Sequence, residues 1–344
     1  MEQIEKFFIV SYKSSVNNSN VEVEDVEMQN DRTLCLPNVS GEVTMVSGEG
    51  CRLVETIVIP SEVTSVDKNI FSDFRNLKEV ICESEKPLFK VMDGVVYSND
   101  MTHIYKVLNT ALTEAVIAQS VRTIATNAFN TPSLKNVTIE DGNAQFVMHD
   151  GCIYSTDGLL VYYPSDKKDA KVVLDHGFYD VHTSYFENNT YIKELVVNVD
   201  IEDMELMNIP NVEKVTFSDE VSMIGSCGLC GCRNLKSVAL SKGMQSLINF
   251  VFNDCESLEE IDIPASIWEV RPEVFNGCTS LKRITLRCTE ARAGYEGEEY
   301  GVEELEKVKG VDTEACELCV PAALMEQYQD SYWNQFASIL PIGE

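Results

Sequence analysis

"CRNLKSVAL" (232–240), "CESLEEIDI" (255–263) and "CTSLKRITL" (278–286) decide the fold, because they are one phrase written three times at a spacing of 23 residues. The register extends backwards from each phrase. Val221, Met244 and Ile267 share a slot, as do Ile224, Leu247 and Val270, then Leu229, Phe252 and Phe275. Cys232, Cys255 and Cys278 follow, then Leu235, Leu258 and Leu281, then Val238, Ile261 and Ile284, and finally Leu240, Ile263 and Leu286. Every slot is apolar in all three units, although apolar residues make up only 44% of the chain, so the repeat is real. It continues upstream. Val63, Val66, Phe71, Phe74, Leu77, Val80 and Cys82 fill the slots, with Phe74 in the cysteine position. Residues 120–139 fit with one residue deleted, through Val121, Ile124, Phe129, Leu134, Val137 and Ile139. Phe178, Val181, Phe186, Asn189, Ile192, Leu195 and Val197 make another copy, and residues 201–217 a shorter one, so about eight units run from residue 40 to 286.

Two periods coexist inside each unit. "LxxVxL" ends in alternating apolar residues, as a strand with one buried face does. The preceding "VxxI....F..C" spaces its apolar residues at three to five, which predicts a turn of helix or 3-10 helix. Pro60, Pro264, Ser218 and Ser241 mark the turn into the next unit. One unit cannot bury its apolar edge alone, but stacked units can. The expectation is an α/β repeat fold, a leucine-rich-repeat solenoid of ~23-residue units with one parallel strand per coil, β-hairpin insertions and terminal caps.

The gaps in the repeat hold two related sequences, "FKVMDGVVYSND" (89–100) and "FVMHDGCIYSTDG" (146–158). Each alternates around Asp-Gly, as a hairpin does, with Asp93-Gly94 and Asp150-Gly151 as turns and "LLVYYP" (159–164) as a return strand. The organisation expected is an N-terminal cap region over 1–40, a solenoid over 41–287 with hairpins near 84–114 and 141–170, and an acidic excursion with a C-terminal cap over 288–344. The acidic "VEVEDVE" (21–27) is expected to be loose, and Val302, Leu305 and Val308 suggest a short amphipathic helix. At the C-terminus, Leu318 and Val320 are expected to form a last strand. Pro321 would open a helix to about Gln329, and Tyr328, Trp333, Phe336, Ile339 and Leu340 would cover the final coil.

The unit "IPxxVxxIxxxxFxxCxxLxxIxI", the insertion "FxVxDGxxYSxDGxxLxYYP" and the tail "CELCVPAALMEQYQDSYWNQFASILPI" (316–342) together resemble the BspA-like leucine-rich repeats of bacterial surface proteins. The resemblance spans roughly residues 40 to 342. It implies an exported protein that acts in adhesion or protein binding, at the cell surface or secreted.

Composition narrows the partners. With 56 acidic residues against 27 basic ones the formal net charge is −29, which repels phosphate backbones and anionic lipid and excludes nucleic acid as a partner class. No stretch approaches the ~18 apolar residues of a spanning helix, so no membrane insertion is expected. "MEQIEKFFIVSYKSS" lacks the pattern of a signal peptide. The expectation is a cytoplasmic protein if Met1 is the native start, or a chain that begins after a removed leader.

No catalytic motif is present. The four histidines, His103, His149, His176 and His182, stand in no order with a nucleophile turn, and no P-loop, HExxH or dinucleotide fingerprint occurs. His103 and His149 fall in the hairpin insertions, where solvated side chains are expected. Cys227-x-x-Cys230 and Cys316-x-x-Cys319 have zinc-ligand spacing, but they lie about three coils apart, roughly 15 Å at the strand spacing, against sulfur–zinc bonds of ~2.3 Å. No metal, no cofactor and no enzymatic activity are expected. Cys232 belongs to the recurring core slot, and Cys230 is expected to be the most exposed of the three cysteines in "SCGLCGCRNL" (226–235).

The solvent side of the strands remains. In "LxxVxL" the first x gives Lys78, Lys135, Lys193, Glu213, Lys236, Glu259 and Lys282, and the next gives Lys214, Ser237, Glu260 and Arg283. Lys214, Lys236, Ser237, Glu259, Glu260, Asp262, Lys282 and Arg283 therefore form the candidate partner-binding face, a concave charged ladder that would meet a host or surface protein. The alternative is an intracellular scaffold or a structural surface protein whose ladder only fixes register and solubility.

Overall fold

A computed structural model describes residues 7–16, 19–30, 32–175, 185–186, 188–201, 206–247, 250–287 and 308–342. The chain divides into two compact units, Met1–Ser165 and Asp166–Glu344.

The second unit is built on a sheet of 8 strands. Lys171–Leu174, Glu194–Val197, Lys214–Phe217, Ser237–Ala239, Glu260–Ile263, Arg283–Leu286, Glu317–Val320 and Ser338–Pro341 follow one another in chain order, each parallel to the last. Identical slots stack: Leu195 pairs with Val215 and Val215 with Val238, while Ile261, Ile284, Leu318 and Ile339 form one continuous row. The 23-residue period produces this directly, because a constant coil length returns each side chain to the same place one strand spacing along. Of the seven slots of the three clearest units, all are buried except Val238 and Leu240, which are half-buried. Their strand is the loosest in the sheet, pairing with the next only at Ala239 and Asp262.

One local expectation fails. The first two apolar slots do not open a helix; the second of them lies in another, short parallel ladder. Ser246–Leu247 pairs with Glu269–Val270, and an isolated bridge joins Ile201 to Ile224. The apolar residues at this corner stack on their own kind in the next coil, and the ladder satisfies backbone groups that a single helical turn would leave open. A 3-10 turn does follow at Pro272–Phe275.

The cysteine slot has a specific cause. The Sγ–H of Cys232, Cys255 and Cys278 donates to the carbonyls of Leu206, Leu229 and Phe252, at 3.2, 3.3 and 3.2 Å. Asn189 uses the same slot, donating from Nδ2 to the Lys167 carbonyl at 2.8 Å. A small donor at the inner turn satisfies a buried carbonyl of the previous coil that no strand reaches. Burial pushes the thiols of Cys232 and Cys278 up to about 12.

The final strand is Ser338–Pro341, one beyond the expected Glu317–Val320. Between them come a 3-10 turn, Ala322–Leu324, and a short helix, Met325–Gln329. The aromatic slot continues into this cap: Phe252 stacks on Phe275 at 6.0 Å between centroids, Phe275 meets Trp333 at 6.5 Å, and Trp333 meets Phe336 at 5.8 Å. Tyr328, Trp333 and Phe336 are buried, whereas Ile339 is half-buried and Leu340 is exposed, on the outer edge of the last strand. Of the expected helix near residue 302, only Val308 falls among the described residues, where it is buried.

In the first unit, a 7-stranded sheet runs in the order Val63–Val66, Gly41–Ser47, Phe7–Ser14, Asn20–Asn30, Thr33–Cys35, Thr56–Ile59, Glu79–Cys82. The two N-terminal strands are antiparallel and join the two parallel ladders into one sheet, which closes this end over Phe8, Val10 and Tyr12. "VEVEDVE" is therefore not loose. It pairs along Phe7–Ser14, with Val23 opposite Val10 and Val26 opposite Phe8, and Glu22, Glu24 and Glu27 stay in water.

Both hairpins form as read. Phe89–Met92 pairs with Val95–Ser98, and Phe146–His149 with Cys152–Ser155. Asp93 and Gly94 have φ of 49° and 76°, and Asp150 and Gly151 have 49° and 78°, the two positive values that a type I′ turn requires. Leu160–Tyr162 returns along Cys152–Ser155. His103 departs from its expected solvation. It is buried, its Nδ1 lies 2.7 Å from Thr123 Oγ1 and its Nε2 3.0 Å from the Lys68 carbonyl. The strand His103–Val107 packs parallel to Thr123–Ile124, which turns this side chain inward.

Candidate interaction face of the second unit

The exposed side of the 8-stranded sheet is set by alternation. In Glu260–Ile263, Glu260 and Asp262 face solvent while Ile261 and Ile263 are buried, and the neighbouring strands repeat the pattern. Because the coils are in register, the outward residues form columns, and the columns carry the charges.

All eight sequence-derived candidates lie on exposed positions. Seven of them pair across coils. Lys236 reaches Glu213 at 2.7 Å, and Glu213 also meets Lys193 at 3.2 Å. Lys282 meets Glu259 at 2.6 Å. Lys214 and Lys171 both reach Glu194 Oε1 at 3.3 Å. Arg283 grips Glu317 through Nε and Nη2 at 3.0 and 2.7 Å, with Glu260 at 3.8 Å on its other side. Asp262 accepts two bonds from Arg287, both at 2.7 Å. Ser237 sits in register with Lys214.

Electrostatics follow the contacts. The Lys236 ammonium holds the Glu213 carboxyl below its usual range, Lys282 does so for Glu259, and Lys214 for Glu194. Glu317 raises Arg283, and Asp262 raises Arg287. The cations are exposed and the carboxylates exposed or half-exposed, so each pair contributes little to stability and is open to exchange with charges on another surface.

Sequence reasoning missed Lys171, Glu194, Arg287 and Glu317, which complete these pairs. It also missed the middle column, Val173, Val196, Thr216 and Ala239, where Val173 is 42% exposed. The signal was present as the last x of "LxxVxL", which is uncharged in these four strands and becomes Asp262 in the next. The pairs named above comprise seven cations and six carboxylates, in a chain whose totals are 27 and 56. They form a near-neutral area of charged pairs on an otherwise acidic molecule.

Among the described residues no three His, Cys, Asp or Glu side chains gather in a way that could hold a metal ion. No helix among them is long and apolar enough to cross a membrane.

Comparison with known proteins gives one family and a set of structures. Residues 46–149 and 199–294, more than half of the chain, match the BspA type leucine rich repeat region, in 6 copies. No curated protein matches the sequence. Among solved structures, the chain is similar to a leucine rich cell surface protein from Faecalibacterium prausnitzii, at 19% identity and a TM-score of 0.37, over 97% of this chain and 93% of that one. It is similar to the pneumococcal vaccine antigen PcpA at 20% identity and a TM-score of 0.43, over 85% and 68% of the two chains. A leucine-rich repeat protein from Eubacterium ventriosum aligns at 16% identity and 0.44, over 81% and 87%.

Proposed function

The chain belongs to the BspA type leucine rich repeat family, and on that premise we propose that it is a non-enzymatic binding protein that meets a protein partner through the exposed sheet face of its second unit. One observation carries the reading. Cationic side chains are concentrated on this face and balanced there by carboxylates, while the chain as a whole has a net charge of −29. A partner surface of mixed charge finds complementary groups here and meets repulsion elsewhere, which gives register and specificity more than raw affinity. The uncharged column of Val173, Val196, Thr216 and Ala239 supplies apolar area beside the charges. Action at the cell surface belongs to the same proposal and rests on the family.

The test replaces Lys236, Glu259, Glu260 and Arg283 with alanine together. The positions are exposed, so the variant keeps the fold, which circular dichroism checks. Proteins captured by the wild-type chain from surface extracts are then compared with those captured by the variant. Loss of a captured protein supports the face as the binding site. Capture that survives intact overturns it.

A further inference from the structure

The two Cys-x-x-Cys segments look alike in sequence, and the fold separates them. Cys316 and Cys319 straddle the start of an extended strand, Glu317–Val320. Three residues of strand span roughly 10 Å, beyond the ~7 Å that a disulfide tolerates between Cα atoms. Cys316 is also buried, and burial pushes its thiol up to about 12.

Cys227 and Cys230 are the opposite case. The Cys230 N–H donates to the Cys227 carbonyl at 3.0 Å, closing a four-residue turn. Such a turn holds its end Cα atoms within about 7 Å, inside the range that a disulfide needs. The two thiols are neighbours, and both side chains are half-exposed.

The turn is held from several sides. Cys227 has a φ of 55°, in the left-handed region. A Cβ at Gly228 would stand 2.5 Å from Ile224 Cγ2, so only glycine fits this close approach. The Leu229 and Gly231 N–H groups donate to the carbonyls of Val251 and Asn253 in the next coil, at 3.0 and 2.7 Å. Burial holds the Cys230 thiol above its usual value, and the Asn253 Nδ2–H that donates to its Sγ at 3.7 Å offsets only part of that rise. The third cysteine of the stretch takes no part, because Cys232 is buried and its thiol is engaged with the Leu206 carbonyl.

We propose that Cys227 and Cys230 are a preorganised dithiol that closes to an intramolecular disulfide on exchange with a low-molecular-weight disulfide. The step balances. One cysteine thiolate attacks a sulfur of the small disulfide, forms a mixed disulfide and releases one thiolate. The second cysteine thiolate attacks the protein sulfur of that mixed disulfide and releases the other. Two protein thiols are oxidised, one small disulfide is reduced to two thiols, and the two protons pass to the released thiolates.

The test exposes the folded full-length chain to glutathione buffers of increasing oxidised fraction. Remaining thiols are trapped by alkylation, and the bonds are mapped by peptide mass spectrometry. The expected result is loss of two alkylatable thiols and a peptide joining Cys227 to Cys230, formed before any other bridge. Cys227→Ser and Cys230→Ser should each stop at a mixed glutathione disulfide on the remaining cysteine of the pair. Trapping of both thiols by one equivalent of phenylarsine oxide gives a second readout that needs no variant. Bridging at Cys316–Cys319 or Cys230–Cys232 first, or full alkylation of Cys227 and Cys230 in the most oxidising buffer, overturns the proposal.

Discussion

Replacing Gly277 with alanine tests the packing of the coils more sharply than any truncation of the core. Asn208, Gly231, Asp254 and Gly277 share one position in successive coils, and all are left-handed, with φ of 57°, 71°, 57° and 75°. Side chain and glycine alternate, because each Asx side chain occupies the space above the next glycine. A Cβ on Gly277 would lie 2.1 Å from Asp254 Oδ1 and 3.0 Å from both the backbone N and Cα of Asp254. The carboxylate can swing aside, but the backbone cannot. The Asp254 N–H is bonded to the Asn276 carbonyl at 2.8 Å, and the Gly277 N–H to the Lys309 carbonyl at 2.7 Å. Left-handed backbone costs a residue with a Cβ about 1–2 kcal/mol, and relieving the overlap by moving a bonded turn adds about 1–2 kcal/mol more. For a unit of this size, about 3 kcal/mol lowers the thermal midpoint by roughly 6–12 °C. Gly158→Ala is the reference, since Gly158 has a φ of +93° and nothing within 4 Å of the added Cβ. It should show the backbone cost alone. Thermal unfolding followed by circular dichroism measures both variants. If Gly277→Ala costs no more than Gly158→Ala, the inter-coil contact is not limiting and the alternation has no packing meaning.

Two other outcomes follow from the titrating groups. Burial holds His103 below its usual value of 6.5, against the weaker pull of its bond to the Lys68 carbonyl and of Asp67 and Asp100. The neutral ring is the one that fits. Its contribution is complete above pH ~6.5 and is lost as pH falls from there toward the folded value, because the unfolded chain takes up the proton first. The midpoint of the first unit should therefore drop between about pH 7 and pH 5, and His103→Gln should flatten that slope. Glu213→Gln removes the carboxylate that Lys193 and Lys236 share, yet the pair is exposed, so the thermal midpoint should stay within roughly 2 °C of wild type. A larger fall would make the ladder structural.

How much of this was legible beforehand differs by level. The seven-slot period named the buried residues almost individually, and Asp-Gly named both hairpin turns. The second ladder was not legible, since apolar residues three apart suit a helical turn as well as a short strand, and only the neighbouring coil's backbone decides between them. The burial of His103 was missed for a similar reason. An insertion reads as surface until its strand is seen beside Thr123–Ile124.

The candidate face divides in the same way. The outward positions follow from alternation alone. Which lysine meets which glutamate depends on side-chain reach between strands, so Lys193, Lys236 and Glu213 form one group while Glu259 holds Lys282. Taken by itself, the sequence determined the stack. A constant coil length puts like residues on like residues, and burial of apolar slots leaves no other register. Only the tertiary structure decided what the exceptions do. Two identical Cys-x-x-Cys spacings lie in one case across a closed turn and in the other along an extended strand, and the distance between their sulfurs is a property of the backbone, not of the spacing.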